Sequence, residues 1–583
     1  MIWTRNVFLA QLTIKDFRRI KEATLLFQPG LNIIVGPNNI GKTAVVDALR
    51  ALLAGADDPY PRFSSDDIHL PVEGTISDEI RFEYIFKDLS LDEEAEFMHA
   101  LRENADGKIE AIIGVTYGDA DKSGRLKPRR WCGDFDETSM TSSMLENLRS
   151  VYLQPLRDAE QGLRPSRNSQ LSRLLHLLSD EPGRTEIATA LKTLDDTLKT
   201  QKPIQDTYDA ISGRHLTMLG KVLAQKIDVG LTGTDFGKLA ARLSLVVNNF
   251  DLERNGLGYN NLIFMAVVLS ELAKNPDAAF RSLIIEEPEA HLHPQLQAVL
   301  LRYLSSLDKD DAGENLVQVF VTSHSPNFAS IADIESVVCL VDAGTNCAAV
   351  FHPRLVNFEK GKRDKLARYL DVTRAELFFA RRALFVEGAA ELLLVNVLAQ
   401  CHKHDLRNHG VSLISVEGLN FDCFMPLFGE NAIPIRVAVI TDADPSTTVD
   451  EKTVALYPAA FDTVDPSDTT KCMLKLQDDL VRVFHGQKTF EYDLALIPKN
   501  RPIMLKALTD IHPQIGKTLK EKVDASVGDQ AKAEALFRGM FERESTNVSK
   551  GKFAQALAAQ IQENRLEFEA PSYILQAIEH VCR

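Results

Sequence analysis

The sequence predicts an α/β protein built on two separate sheets with chemistry at their strand ends. Three observations carry this. An apolar run ending at Val35 leads into Gly36-Pro-Asn-Asn-Ile-Gly41-Lys42-Thr43 and then a helical pattern to Leu53. A second apolar run, 281–285, ends in Glu286-Glu287. Three later runs end in acids: 383–386 at Glu387, 411–416 at Glu417, and 436–441 at Asp442-x-Asp444. Strands that alternate with helices and carry polar residues at their carboxyl ends are the pattern of open α/β sheets.

At 583 residues the chain is too long for one core, so several domains are expected. Its composition, 45% hydrophobic and 25% charged, is that of a globular protein. No apolar run is long enough to cross a bilayer, and Met1-Ile2-Trp3-Thr4-Arg5 has no signal-peptide pattern. The seven cysteines are scattered and never in C-x-x-C spacing. A reduced, cytoplasmic protein without a zinc ribbon or a membrane partner is therefore expected. The net charge of −16 argues against a protein that coats nucleic acid, yet leaves room for local basic stretches.

In chain order, residues 9–35 read as two strands and a turn, then the strand before Gly36. Segments 78–87 and 109–117 alternate as strands, with a helical stretch at 91–104 between them. The basic run Lys122–Arg130 reads as a solvated hairpin tip in preference to a DNA contact. Residues 151–158 read as a strand leaving the core. From 168 to 245 the pattern is helical and free of chemical motifs, as in an inserted dimerisation element. The Gly-rich stretch 255–261 precedes a helix from Leu262 to Leu272. Residues 443–470 read as a long polar loop.

The run from Gly36 to Thr43 fits G-x-x-x-x-G-K-[ST] in the strand–loop–helix context that a P-loop requires. Backbone N–H groups of Gly36, Asn38, Asn39 and Gly41 would cradle phosphate at a helix N-terminus. Lys42 would reach the β- and γ-phosphates of ATP, and Thr43 would ligate Mg²⁺. The order L-x-I-x-D-F-R, strand, Gly-Leu-Asn, P-loop resembles the ATPase heads of SMC-like and DNA-repair ABC proteins. That resemblance makes 281–289 a Walker B strand, with Glu286 in the Mg²⁺ (or Mn²⁺) shell and Glu287 polarising the attacking water. It makes His324, in Thr322-Ser323-His324-Ser325-Pro326, the switch histidine, and Gln154 the metal-sensing glutamine. It also places the ABC signature at 255–261, which departs from the common Ser-Gly-Gly form. His291-x-His293 lacks a third ligand nearby and reads as structural.

In the second half, Glu387-Gly388 ends a strand and Glu391 lies in the first turn of the next helix. In an extended chain Asp442 and Asp444 would share a face. Carboxylates at such an edge, without a His/Cys shell, suit Mg²⁺ or Mn²⁺. A lone Glu after a first strand and D-x-D after a third resemble the Toprim domain of topoisomerases, primases and nucleases.

An ABC-type P-loop ATPase domain with a helical insertion, followed by a Rossmann-like Toprim domain with E-G-x-x-E, D-x-D and a trailing lysine, resembles the OLD (overcoming lysogenisation defect) family. That family includes the large subunit of the Gabija anti-phage system. The resemblance implies two divalent metal ions at the Toprim site, held by Glu387, Glu391, Asp442 and Asp444, with Glu491 and Asp493 as the later acidic pair. It implies a catalytic lysine in Ser549-Lys550-Gly551-Lys552, with Lys550 chosen ahead of Lys552. The expected division is 1–167 and 246–370 for the ATPase, 168–245 for the insertion and 371–583 for the Toprim domain with a helical tail. The expected activity is ATP-binding, metal-dependent DNA cleavage in phage defence or DNA processing, by a homodimer or higher oligomer, with a companion helicase as a further partner. The alternatives are an ATP-gated DNA-binding protein with a degenerate Toprim domain, or a topoisomerase or primase, for which little chain remains to build a DNA gate.

Overall fold

The computed structural model describes residues 7–583 apart from 55–58, 73–74, 155–161, 168, 232–234, 248–249, 252–253, 275–277, 291, 308–314, 345–346, 431, 450–451 and 545. It is an α/β protein with an antiparallel sheet, a mostly parallel sheet and a fully parallel sheet in succession. In the first, Ile20–Leu26, Phe8–Phe17, Ile80–Lys87, Ile109–Gly118 and Leu101–Glu103 lie side by side, and Lys127–Cys132 also pairs with Ile109–Gly118. The second runs Ala348–Phe351, Val337–Asp342, Leu31–Val35, Gln318–Ser323, Phe280–Glu286, Leu148–Leu153, parallel except for the first pair. Its central strands are buried on both faces, which is why they read as unbroken apolar runs.

The P-loop strand Leu31–Val35 and the acid-tipped strand Phe280–Glu286 are not neighbours; Gln318–Ser323 lies between them. The turn after that middle strand therefore delivers His324 between the P-loop and Glu287. Leu148–Leu153 flanks Phe280–Glu286 with Leu153 opposite Ile285, so Gln154 follows beside Glu286.

The third sheet runs Val411–Ser415, Arg382–Val386, Arg436–Thr441, Val481–His485. Apolar side chains of the second and third sheets, among them Val337, Ala383, Phe385 and Val437, share one continuous core. The helices Ala389–Cys401, Asn500–Ile511 and Lys550–Glu563 pack on one another beside the third sheet. After Leu148–Leu153 come the helices Gln170–Leu178, Glu181–Lys199 and Lys202–Leu223, of which the first packs on helix Leu257–Lys274. No residue of Lys202–Leu223 is buried, and Met218, Val222 and Leu223 are prominently exposed.

Several local expectations change. The helix expected at 91–104 stops at Glu96, and Leu101–Glu103 is a strand paired with Ile109–Gly118. Propensity lost here to an available sheet edge. The helix after the Gly-rich stretch begins at Leu257, five positions earlier than expected. The polar segment 443–470 contains a small hairpin, Ser446–Val449 with Lys452–Ala455. The strand expected at 151–158 is Leu148–Leu153; its expected continuation past Gln154, like His291, lies outside the described residues. Among the described residues, no helix is long and apolar enough to cross a membrane.

Candidate functional sites

Gly36 has φ 152°, and a Cβ there would stand 2.5 Å from the carbonyl oxygen of Leu340. Only glycine lets the chain leave Val35 so close to the neighbouring strand. Asn39 is also left-handed, at φ 61°, and its carbonyl accepts a hydrogen bond from Arg19 (2.7 Å). Helix Lys42–Leu53 starts at once, with Gly41 as its N-cap. Lys42 is buried, and its ammonium donates to the carbonyls of Gly36 (2.6 Å) and Pro37 (2.9 Å). Burial lowers its pKa to about 8, against the pull of Glu287 and Glu289. A lysine so desolvated gains strongly from an incoming polyanion.

Glu286 is buried at the strand end, accepts from Tyr152 Oη (2.5 Å) and is hydrogen-bonded by the Thr43 side chain. Burial raises its pKa. Glu287 departs into the left-handed region, φ 45°, a conformation that costs a non-glycine residue roughly 1 kcal/mol or more. The turn aims its carboxylate at His324 Nε2, 2.9 Å away. Glu289 holds that histidine from behind, accepting from the His324 backbone N–H (2.7 Å) and Ser323 Oγ (2.9 Å). Burial, followed by the charge of Lys42, lowers the His324 pKa despite the contact with Glu287. Asn38, Thr43 and Gln154 are exposed around this cluster. Tyr152 and Glu289 escaped the sequence reading; Glu289 was legible as the last acid of Glu-Glu-Pro-Glu.

The second cluster sits at the carboxyl edge of the third sheet. Glu387 follows Val386 and Asp442 follows Thr441 on the adjacent strand. Glu387 Oε1 accepts from Thr441 Oγ1 (2.7 Å) and from the Asp442 N–H (2.8 Å). Asp442 Oδ1 accepts from the Phe490 N–H (2.8 Å) at the start of helix Phe490–Leu496. Glu391 lies in the first turn of Ala389–Cys401, and Glu491 in the first turn of Phe490–Leu496. Lys550 opens Lys550–Glu563, and its Nζ lies 3.0 Å from Glu491 Oε2. Three helix N-termini thus face the acids, and their partial positive charge offsets some of the repulsion.

The repulsion is still large. Burial and then neighbouring carboxylates raise the pKa of Asp442, with Glu387 and Glu491 ahead of Asp444. Burial and Glu491 raise that of Glu391. Burial raises that of Glu387. Lys550 is the charge that opposes them all, and the carboxylates hold its pKa up. Lys552 is exposed, and its backbone N–H is taken by the Ser549 cap.

One expectation about this edge needs correction. Asp442 and Asp444 do not lie on one strand face: the strand ends at Thr441, and Asp444 is left-handed at φ 43°. The turn is fixed by Ala443 and Asp444 N–H groups donating to the Lys488 carbonyl (2.8 and 3.1 Å). Asp493 feels the charge of Glu491 and is also tied to the neighbouring loop. Its carboxylate accepts from the Gln487 and Lys488 N–H groups and from Tyr573, which closes the loop after Val481–His485. Gly486 permits this approach, since a Cβ there would stand 1.7 Å from Asp493 Oδ2. Burial pushes Asp493 up to about 7. Lys488, buried 4.4 Å from the Tyr457 ring centroid, contributes charge to Asp444 and was passed over in the sequence.

The donor set suits a hard divalent cation: every candidate ligand is a carboxylate. Glu491 Oε1 is buried without a hydrogen-bond partner, an orphan that a cation would satisfy. Among the described residues no three of these carboxylates bring their oxygens within 4.8 Å of one another, so a cation would have to draw them inward.

An ATPase head whose sheet shares its core with a carboxylate-edged parallel sheet defines an ATPase–Toprim protein. Residues 136–329 match the AAA ATPase domain family and 11–212 an AAA domain family. Residues 378–444 match the Toprim domain of overcoming lysogenization defect protein-like sequences. Within that class the chain is similar to OLD nucleases. It is 28% identical over 413 residues to the OLD nuclease of Thermus scotoductus, covering 67% of this chain and 74% of that one. It is 26% identical over 259 residues to Endonuclease GajA of Bacillus cereus, covering 40% of this chain and 37% of that one. Among solved structures, the C-terminal region of the Burkholderia pseudomallei OLD protein is 25% identical, over 35% of this chain and 97% of that one, at a TM-score of 0.25.

Proposed function

We propose that this protein is an ATP-binding and ATP-hydrolysing, divalent-metal-dependent DNA endonuclease serving in phage defence or DNA processing. The observation that carries the reading is the cluster of Glu387, Glu391, Asp442 and Glu491 around Lys550 at the carboxyl edge of a parallel sheet. Two Mg²⁺ or Mn²⁺ ions held there would activate water and stabilise the leaving oxygen of a phosphodiester. Glu387, Asp442, Glu391 and Glu491 would hold them, with Asp444 on the rim and Asp493 bracing the loop. Lys550, released from Glu491 as cations enter, would neutralise charge on the scissile phosphate.

At the ATPase site, Lys42 would exchange its two carbonyl partners for the β- and γ-phosphates, and Thr43 and Glu286 would hold the Mg²⁺ shell. Gln154, at the edge of the same pocket, would sense that ion. Glu287 would polarise water, with His324 beside it to read the γ-phosphate. The division into 1–167, 168–245, 246–370 and 371–583 belongs to the same reading. So do a cytoplasmic location, dimerisation through the exposed apolar residues of Lys202–Leu223, and cooperation with a helicase.

The experiment is incubation of supercoiled plasmid with the protein in Mn²⁺ or Mg²⁺, with and without ATP. Nicked and linear DNA is the expected product, abolished by chelator. Relaxed closed circles would indicate a topoisomerase, and unchanged plasmid a DNA-binding protein with an inactive Toprim domain.

A further inference from the structure

At the amino edge of the third sheet, opposite the carboxylates, three side chains of different chemistry meet. His404 follows helix Ala389–Cys401, His409 precedes strand Val411–Ser415, and Cys582 ends helix Ser572–Cys582. One donor atom from each lies within 4.8 Å of the other two, the one such group among the described residues. The imidazole centroids are 6.3 Å apart with the rings tilted by 55°. We propose that His404, His409 and Cys582 form a zinc-class metal site that pins the last helix to the 402–410 loop.

The chemistry favours a borderline-soft ion here and a hard one at the other edge. Two imidazoles and a thiolate select zinc-like metals, whereas carboxylates select Mg²⁺ or Mn²⁺. Four residues separate His404 from His409, within the H-x₃₋₅-H spacing of zinc sites. Two helices end at this point, and the negative ends of their dipoles favour a cation. Of the nearby guanidinium groups, Arg382 donates to the Val581 carbonyl (3.1 Å) and Arg583 pairs with Glu579 (3.6 Å). His409 is exposed, leaving a fourth position for solvent. His409 and Arg382 also line a cavity of about 380 Å³ whose opposite wall is Pro37 and Asn38 of the P-loop, so the ion would stiffen the Toprim wall facing the ATPase head.

The test uses the full chain, stripped with chelator and then loaded with zinc or cobalt(II) alone. After gel filtration, wild type should retain about one more zinc per chain than Cys582→Ser or His409→Gln, with affinity reduced at least about tenfold in each variant. Cobalt-loaded wild type should show a sulfur-to-cobalt charge-transfer band that Cys582→Ser lacks. Zinc should raise the melting temperature of wild type and not of the variants. Asp442→Asn, altered at the opposite edge, should retain the zinc. Equal zinc content in wild type, Cys582→Ser and His409→Gln, or loss of the zinc in Asp442→Asn, would overturn the proposal.

Discussion

Replacing Asp442 by Asn separates charge from geometry at the Toprim edge. The Asn side chain keeps an oxygen to accept from the Phe490 N–H, so the start of helix Phe490–Leu496 stays anchored. What disappears is one negative charge beside Glu387 and Glu491. Two carboxylates about 5 Å apart at an effective dielectric near 20 repel by about 3 kcal/mol. Partial protonation relieves part of that, so the metal-free variant should be more stable than wild type by about 1–3 kcal/mol. With Mn²⁺ present the order reverses, because the variant binds metal at least about 100-fold more weakly and gains less from mass action. Thermal melts in chelator and in Mn²⁺ read the crossing. A plasmid-nicking assay and a phosphate-release assay on the same preparation should show cleavage lost and ATP hydrolysis retained. A melting temperature below wild type in chelator, or nicking at the wild-type rate, would refute the assignment of Asp442 to a repelling metal-ligand cluster.

Lys42→Ala should abolish ATP hydrolysis, while Glu287→Gln should retain ATP without turning it over; hydrolysis by the Glu287 variant at the wild-type rate would show that another group polarises the water. Deleting the 168–245 helices should turn oligomers into monomers in light scattering, and an unchanged oligomer would move the interface elsewhere. His352 is buried, accepts from the Leu26 N–H (2.9 Å), and has its pKa lowered to about 4 by burial and then Arg354. The unfolded chain, with histidine near 6.5, binds the proton first as pH falls, so stability is full above 6.5 and is lost between 6.5 and 4, by up to about 3 kcal/mol. His352→Gln, which keeps an acceptor, should flatten that part of the stability–pH curve; an unchanged slope would mean the imidazole is already charged in the fold.

The sequence by itself determined the elements whose signal is local. Glycines at fixed spacing, an apolar strand before them and a helix after them define the P-loop, because phosphate binding uses backbone groups of consecutive residues. Acids at strand ends were visible for the same reason: a buried parallel strand is a short apolar run, and its first polar residue marks the edge. What pairs with what was decided only by the tertiary structure. Strand order inserts Gln318–Ser323 between the P-loop and Glu286, and this brings His324 to Glu287 across 37 residues of chain. Helix packing brings Lys550 to Glu491, 59 residues earlier, while Lys552 stays outside. The left-handed turn at Asp444 and the capture of Asp493 by the loop after Val481–His485 come from hydrogen bonds to Lys488 and Gln487. No periodicity in D-x-D or E-Y-D encodes those partners, since a side chain's direction beyond a strand end is set by whichever backbone groups the rest of the fold leaves within reach.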